Sequence, residues 1–365
     1  MMRILYGVQG TGNGHISRAH VMAQELSRAN IEVDFLFSGR AKDKYFAMQP
    51  FGDYATRQGF TFVTSNGRIQ WLQTLRQLNL RQLNADINAL DLRHYDLVLN
   101  DYEPISAHAA KRQKVPCVGI SHQNAFRYAV PKLAYRSVNF AVMNRLAPVD
   151  VAIGLHWHNF GAPILPPIID HQHTAATTVV KNQVLVYLPF ENCAGLSHLL
   201  NPLDDYRFIV YHPNATAQTV ANCQFKPPSR EGFAADLAAS ESVFCNAGFE
   251  LPSEALAQGK RLLVKPVAGQ IEQGSNALAL EILDLAWSCQ RLDRNLIREW
   301  LETAVGQRCN YPDVAAAIVA WLDDGRREPL QSLSERLWAM SSSDPVPTSY
   351  STQFSAMLMP MTDAF

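Results

Sequence analysis

The sequence predicts two doubly wound α/β domains that face each other across a cleft. Three observations carry that prediction. Strands and helices alternate along nearly the whole chain, the pattern of parallel sheets covered on both faces. A glycine loop, Gly10-Thr11-Gly12-Asn13-Gly14-His15, follows the first strand directly, and a second strand, glycine turn and helix unit occupies residues 243–278. The two units are about 230 residues apart, roughly the offset of two such domains. The length of 365 residues gives each half enough chain to bury its own core.

Composition narrows the function. Hydrophobic residues make up 47% and charged residues 18%, a globular balance rather than a disordered one. The net charge of −1 supplies no general basic field for nucleic acid. There is no apolar run long enough for a transmembrane helix. The first eight residues read as a strand and lack the apolar core and cleavage site of a signal peptide, so a cytoplasmic location is expected. Cys117, Cys193, Cys223, Cys245, Cys289 and Cys309 are scattered without a C-x-x-C, and read as reduced thiols.

Taken in order, residues 3–8 form a strand. The helix after the glycine loop places Ala19, Met22, Ala23 and Leu26 on one face. Residues 31–37 are the next strand, and residues 60–64 another. Residues 69–90 read as one long helix with Leu72, Leu75, Leu83, Ile87 and Leu90 inward. The strand at 97–100 ends at Asp101-Tyr102-Glu103, and the strand at 115–120 ends at Ser121-His122. A run at 126–148 interleaves aromatic residues with Arg127, Lys132, Arg136 and Arg145. It suits either a packed helix with solvated cations or weak contact with an anionic membrane surface. Residues 149–155 are expected as the last strand of a first domain over 1–160. The proline-rich stretch near 161–167 marks a linker over 161–180. A second domain over 181–340 follows, with strands at 183–188, 207–211, 222–226, 243–245 and 261–265. Helices are expected at 233–239, 253–258, 276–285, 294–305 and 313–322. Pro252 suits the first turn of the helix at 253–258, and Gly259 its C′ position. Residues 270–276 read as a polar turn, and 341–365 as a tail.

Chemistry concentrates at the two loops. The first departs from the G-x-G-x-x-G dinucleotide fingerprint, and the second strand ends at Phe37-Ser38-Gly39-Arg40 with no carboxylate for a ribose. Gly10, Thr11, Gly12 and Gly14 instead make a loop that a ligand or phosphate can approach. His15, at the helix start, is the candidate general base or else a residue that packs the loop. Asp101, Glu103 and His122 lie at strand ends on the same rim and are the alternatives. In the second loop Gly248 permits close approach, and the following helix points free N–H groups outward, an anion site. Glu254 in its first turn would accept two ribose hydroxyls. Gln270, Glu272 and Gln273 suit sugar hydroxyls. No D-x-D stands at a strand end; Asp204-Asp205 precedes a strand, so no metal and no cofactor are expected.

Together these stretches resemble the GT-B nucleotide-sugar glycosyltransferases, in particular the lipid II-forming N-acetylglucosaminyltransferases of peptidoglycan synthesis. The likeness rests on G-T-G-N-G-H at Gly10, N-A-G-F-E-L-P-S-E-A-L-A-Q-G-K at Asn246, and G-Q-I-E-Q-G-S-N-A at Gly269. It implies a GT-B fold, with the acceptor in the first domain and a UDP-sugar in the second. Glu254 would bind the ribose, and Gly248, Pro252 and Ser253 would line the diphosphate pocket. Glu272 and Gln273 would contact the donor sugar, Phe225 and Lys226 would lie near the uracil through backbone groups, and His15 would be the base. Asn246 stands where relatives often carry His or Arg on the phosphate. The expected reaction is inverting transfer of a hexose or N-acetylhexosamine to a hydroxyl acceptor, lipid-linked acceptors at the inner membrane face included. A non-hydrolysing UDP-sugar 2-epimerase using Asp101, Glu103, Glu191 and Glu272 is one alternative; a silent nucleotide-sugar sensor is another.

Overall fold

The computed structural model describes residues 2–59, 64–65, 68–69, 79–133, 145–171 and 178–343. Its first half is a parallel sheet of β1 (Arg3–Gln9), β2 (Glu32–Ser38), β3 (Ala55–Arg57), β4 (Leu97–Asp101), β5 (Cys117–Ser121), β6 (Val151–Leu155) and β7 (Ile164–Leu165). Their spatial order is β3-β2-β1-β4-β5-β6-β7. Helices α1 (Asn13–Arg28), α2 (Leu80–Ala89) and α3 (Pro104–Gln113) connect these strands. Apart from Arg3, every residue of β1 is buried, as a central strand covered on both faces requires.

The second half repeats the plan. Strands β8 (Val180–Tyr187), β9 (Arg207–Tyr211), β10 (Gln218–Val220), β11 (Cys223–Lys226), β12 (Ser240–Asn246), β13 (Arg261–Lys265) and β14 (Trp287–Ser288) lie in the order β10-β11-β9-β8-β12-β13-β14. Only the pairing of β10 with β11 is antiparallel. Its helices are α4 (Cys193–Leu200), α5 (Arg230–Ala239), α6 (Glu250–Ala257), α7 (Ile271–Ile282), α8 (Arg294–Thr303), α9 (Val314–Asp323) and α10 (Leu330–Met340). In each sheet the strand order reverses once, between β1 and β4 and between β8 and β12. Ligands of open α/β sheets sit outside the strand ends at such points. The loop after β1, the end of β4, the loop after β8 and the end of β12 all meet there.

Several expected boundaries are corrected. Residues 149–155 are not the last strand of the first sheet, because β7 lies within the expected linker. It is two residues long and flanked by Pro163, Pro166 and Pro167, which an edge strand tolerates. The helix expected at 253–258 begins at Glu250, so Pro252 is its third residue and Glu254 lies in its second turn. Gly259 follows it at φ +68°, as a helix-ending glycine should. The expected polar turn at 270–276 is the first half of α7. Of the helix expected at 69–90, the described part is α2; Leu72 and Leu75 lie outside the described residues. Of the strand expected at 60–64, residues 60–63 lie outside the described residues; Thr64–Ser65 pairs antiparallel with Arg68–Ile69. Residues 134–144 of the basic aromatic run also lie outside, as does the tail from residue 344.

The main hydrophobic core is continuous from one half to the other. Helix α9 packs on α1, and α10 lies against β7. Ser334 Oγ and Trp338 Nε1 both donate to the Ile164 carbonyl at 2.7 Å.

Candidate active site

The two switch points enclose a cavity of about 620 Å³ lined by both halves. That volume suits a nucleotide-sized ligand. Its first-half wall includes Thr11, Gly12, Gly14 and His15; its second-half wall includes Asn246, Gly248, Pro252, Glu254, Gln270, Glu272 and Gln273.

His15 sits in the first turn of α1 with its side chain partly open to the cavity. Its Nδ1 lies 2.7 Å from Asp101 Oδ1 at the end of β4, and the Asp101 side chain is fully buried. Arg18, one turn along α1 and also buried, grips the same carboxylate with two bonds: Nε to Oδ2 at 2.8 Å and Nη2 to Oδ1 at 2.7 Å. Burial works to raise the Asp101 carboxyl, but Arg18 and His15 outweigh it and hold the group below its ordinary range. Asp101 is therefore an acceptor, His15 Nδ1 donates to it, and His15 Nε2 carries the lone pair. Asp101, read from the sequence as a substitute for His15, is its partner.

The other first-half alternatives have different work. Glu103 is buried at the start of α3, where it accepts from Ser38 Oγ, Ile105 N, Ser106 N and Ser106 Oγ. It is the cap of that helix and not a base in the cavity. His122 is almost fully buried, and both ring nitrogens face protein acceptors: Nδ1 the Leu155 carbonyl at 2.8 Å, and Nε2 the Asn276 side-chain oxygen at 2.6 Å. Its ring stacks on Phe249 at 4.1 Å. His122 joins the two halves and has no nitrogen left for a substrate proton.

On the donor side, Glu254 faces the cavity from α6. Burial raises its carboxyl to about 7, with Arg230 opposing and Asp170 adding to the rise. Glu272 and Gln270 stand at the start of α7, and Gln273 Oε1 accepts from Val267 N at 2.9 Å. Asn246 donates to the Lys265 carbonyl at 2.8 Å, which leaves its own side-chain oxygen unpaired. Three residues expected here are placed otherwise. Ser253 is buried behind the helix; its hydroxyl donates to the Phe249 carbonyl and accepts from Trp157 Nε1 at 2.8 Å. The Phe225 side chain belongs to the core under the sheet and that of Lys226 is paired with Asp236 at 2.6 Å, so any part they take near a base is left to their backbone groups. The cavity wall on that side is made by Tyr211, Pro228, Arg230 and Phe233. In the glycine loop, Gly10 lies beneath Tyr45 and off the cavity, whereas Gly14 borders Glu250: a Cβ at Gly14 would stand 2.9 Å from Glu250 Cγ.

Side-chain caps are unevenly distributed among the helices. Helices α2, α3, α4, α5, α8 and α9 are each capped by a side chain: Asn79, Glu103, Asn192, Ser229, Asp293 and Asp313. Helix α10 lacks a side-chain cap away from the cavity, and the capped α5 lines the cavity too; the starts of α1, α6 and α7 both face the cavity and have no side-chain cap. Their first N–H groups are left for a ligand, and the helix dipole favours an anionic one. Among the described residues no group of three or more His, Cys, Asp or Glu is placed to hold a metal ion, and no helix is long and apolar enough to cross a membrane.

The model of glycosyl transferase family 1 matches residues 2–304. The chain belongs to that family. No curated protein matches it in sequence. Among solved structures, this family 1 chain is similar to the glycosyltransferase SnogD from Streptomyces nogalater, at 15% identity over 93% of this chain and 99% of that one, TM-score 0.53. It is similar to MurG from Acinetobacter baumannii, at 16% identity over 89% and 100%, TM-score 0.52. It is also similar to the spinosyn rhamnosyltransferase SpnG in complex with spinosyn aglycone, at 13% identity over 97% and 100%, TM-score 0.54. At these identities the likeness is one of fold, and it confirms the GT-B architecture expected from the motifs. Within this glycosyltransferase, sequence reasoning missed Arg18, Glu250 and Arg230. Arg18 is three residues from His15 on one helix, a spacing that puts both on one face. Glu250 was hidden by the misplaced start of α6.

Proposed function

We propose that the chain is an inverting glycosyltransferase that moves a hexose or N-acetylhexosamine from a UDP-sugar to a hydroxyl acceptor. The observation that carries the proposal is the His15–Asp101 pair, set across one cavity from the Glu254 carboxylate and the uncapped starts of α6 and α7. The acceptor hydroxyl gives its proton to His15 Nε2 as its oxygen forms a bond to the anomeric carbon. The bond from that carbon to the diphosphate breaks, and UDP leaves with the electron pair. Asp101 stabilises the imidazolium that results. The free N–H groups of α6, beside Gly248, receive the charge on the diphosphate without a metal. Glu254 accepts the ribose hydroxyls, and Glu272 with Gln270 meets the donor sugar. The acceptor, free or lipid-linked, enters from the glycine loop of the first half.

The epimerase alternative asks four carboxylates to surround the sugar. Asp101 and Glu103 are engaged as described, and Glu191 is paired with Lys265 at 2.6 Å, so only Glu272 is left for that role. The test is a thermal-shift panel of UDP-, GDP-, dTDP- and CMP-sugars with EDTA present. UDP-sugars are expected to raise the melting temperature most, and Glu254→Ala to abolish the rise. A shift that favours another nucleotide, needs a divalent ion or survives the substitution would overturn this donor site.

A further inference from the structure

Arg18 is bound by carboxylates from both halves of the molecule. Asp101 of β4 takes its Nε and Nη2, and Glu250, the first residue of α6, takes its Nη1. Its Nη2 also lies 3.0 Å from His15 Nδ1. The chain of contacts therefore runs from the base, through Asp101 and Arg18, into the first turn of the helix proposed to hold the donor diphosphate. A carboxylate suits a helix start, but a free one there would repel a diphosphate. Paired with Arg18, Glu250 is neutralised, and the bare Gly14 makes room for the pairing.

We propose that Arg18 and Glu250 are positioning residues that assemble the His15–Asp101 base only when the donor-side helix is seated against the first half. Arg18 fixes the plane of the Asp101 carboxylate, and Glu250 fixes Arg18 from across the cleft. The inference rests on His15 being the base. The charged and titratable groups that set the field at His15 are Asp101, Arg18 and Glu250. Tyr6 of β1 lies behind Arg18, Glu254 and Glu272 lie beyond Glu250, and His122 also faces Arg18.

The experiment is the pH profile of kcat/KM for UDP release, in the intact chain, with a working acceptor or with water as the slow acceptor. Glu250→Gln keeps the shape and removes the ionisable group, whose carboxyl burial raises to about 8 against the pull of Arg18. Its acid limb is expected to move down by about half a pH unit, with a drop in kcat of roughly tenfold. Arg18→Gln removes the cation; its acid limb is expected to move up by about one pH unit, so that activity returns at alkaline pH. Arg18→Lys keeps the charge without the fork, and is expected to lose kcat with little movement of the limb. Gly14→Ala, which crowds the Glu250 side chain, is expected to behave like Glu250→Gln. Melting curves check that each variant is folded, and Glu250→Gln with Arg18→Lys keep the test open if Arg18→Gln does not fold. Limbs that stay fixed in Glu250→Gln and Gly14→Ala while His15→Ala abolishes turnover would overturn the positioning role alone. Turnover that survives in His15→Ala would remove the base beneath it.

Discussion

A single carboxylate, Glu254, links the donor site to pH. Its carboxyl is raised to about 7 by burial in the empty cavity. In the proposed site the ribose hydroxyls would donate to the ionised form, so donor binding would have to expel the proton below that value. UDP-sugar affinity is expected to be flat above pH 7 and to fall about tenfold per unit below it. In Glu254→Gln the slope should vanish and the affinity be weak throughout; titration calorimetry at several pH values would read both. A slope that persists in the variant would assign the proton to another group. At this scale the sequence was partly legible. Glu254 and His15 stood out because each follows a glycine turn at a strand end. Arg18 did not, because a lone arginine inside an amphipathic helix has the same appearance whether it is solvated or clamped between two buried acids. Ser253 stood in a recognisable motif and Phe225 on an expected strand, but which way a side chain turns from its helix or strand depends on neighbours far away in sequence, here Trp157 and the core beneath β9 and β11.

The starts of α6 and α7 were misplaced, and both helices open onto the cavity without a side-chain cap. Helix starts are read from Ser, Thr, Asp or Asn ahead of an apolar period. Asn192, Ser229, Asp293 and Asp313 give that signal; the helices after Asp293 and Asp313 lie where expected, the one after Ser229 starts ahead of the expected residue 233, and the one after Asn192 was not expected. Phe249 and Gln270 do not, and the polar face of α7 turns toward the cleft, so Gln270, Glu272 and Gln273 resemble a loop. The feature that conceals these helices from a sequence reader is also what frees their N–H groups for a ligand. Ser253 supplies a check at this scale. With its hydroxyl committed to Trp157 and to its own helix, Ser253→Ala is expected to lower stability by about 1–3 kcal/mol, since it strands the buried Trp157 N–H. Donor affinity should be unchanged. Denaturant melts with parallel donor titration would show the split, and a loss of affinity at constant stability would return Ser253 to the diphosphate.

Across the whole molecule, alternating elements and two glycine loops were enough to give two parallel sheets with a cleft at their strand ends. The closing of the first sheet was not legible. Strand β7 is two residues between prolines, and nothing local to α10 says which sheet it covers. Yet Ser334 and Trp338 both reach the Ile164 carbonyl, so the chain crosses between the halves twice. Trp338→Phe keeps the ring and removes one of those donors. It should lower the melting temperature of the apo protein by a few degrees, corresponding to about 1 kcal/mol, and leave donor affinity as it was. An unchanged melt would mean that α10 is held by its apolar face alone.

That second crossing also sets an order of events during synthesis. Ile164 of β7 packs on first-half residues, but its carbonyl waits for donors from the last described helix of the chain, so a nascent first half emerges with its final strand only partly covered. At ordinary elongation speeds the wait for α10 is about 10–30 s. Throughout that interval the second half must fold beside an unfinished neighbour, and only the arrival of Ser334 and Trp338 completes both.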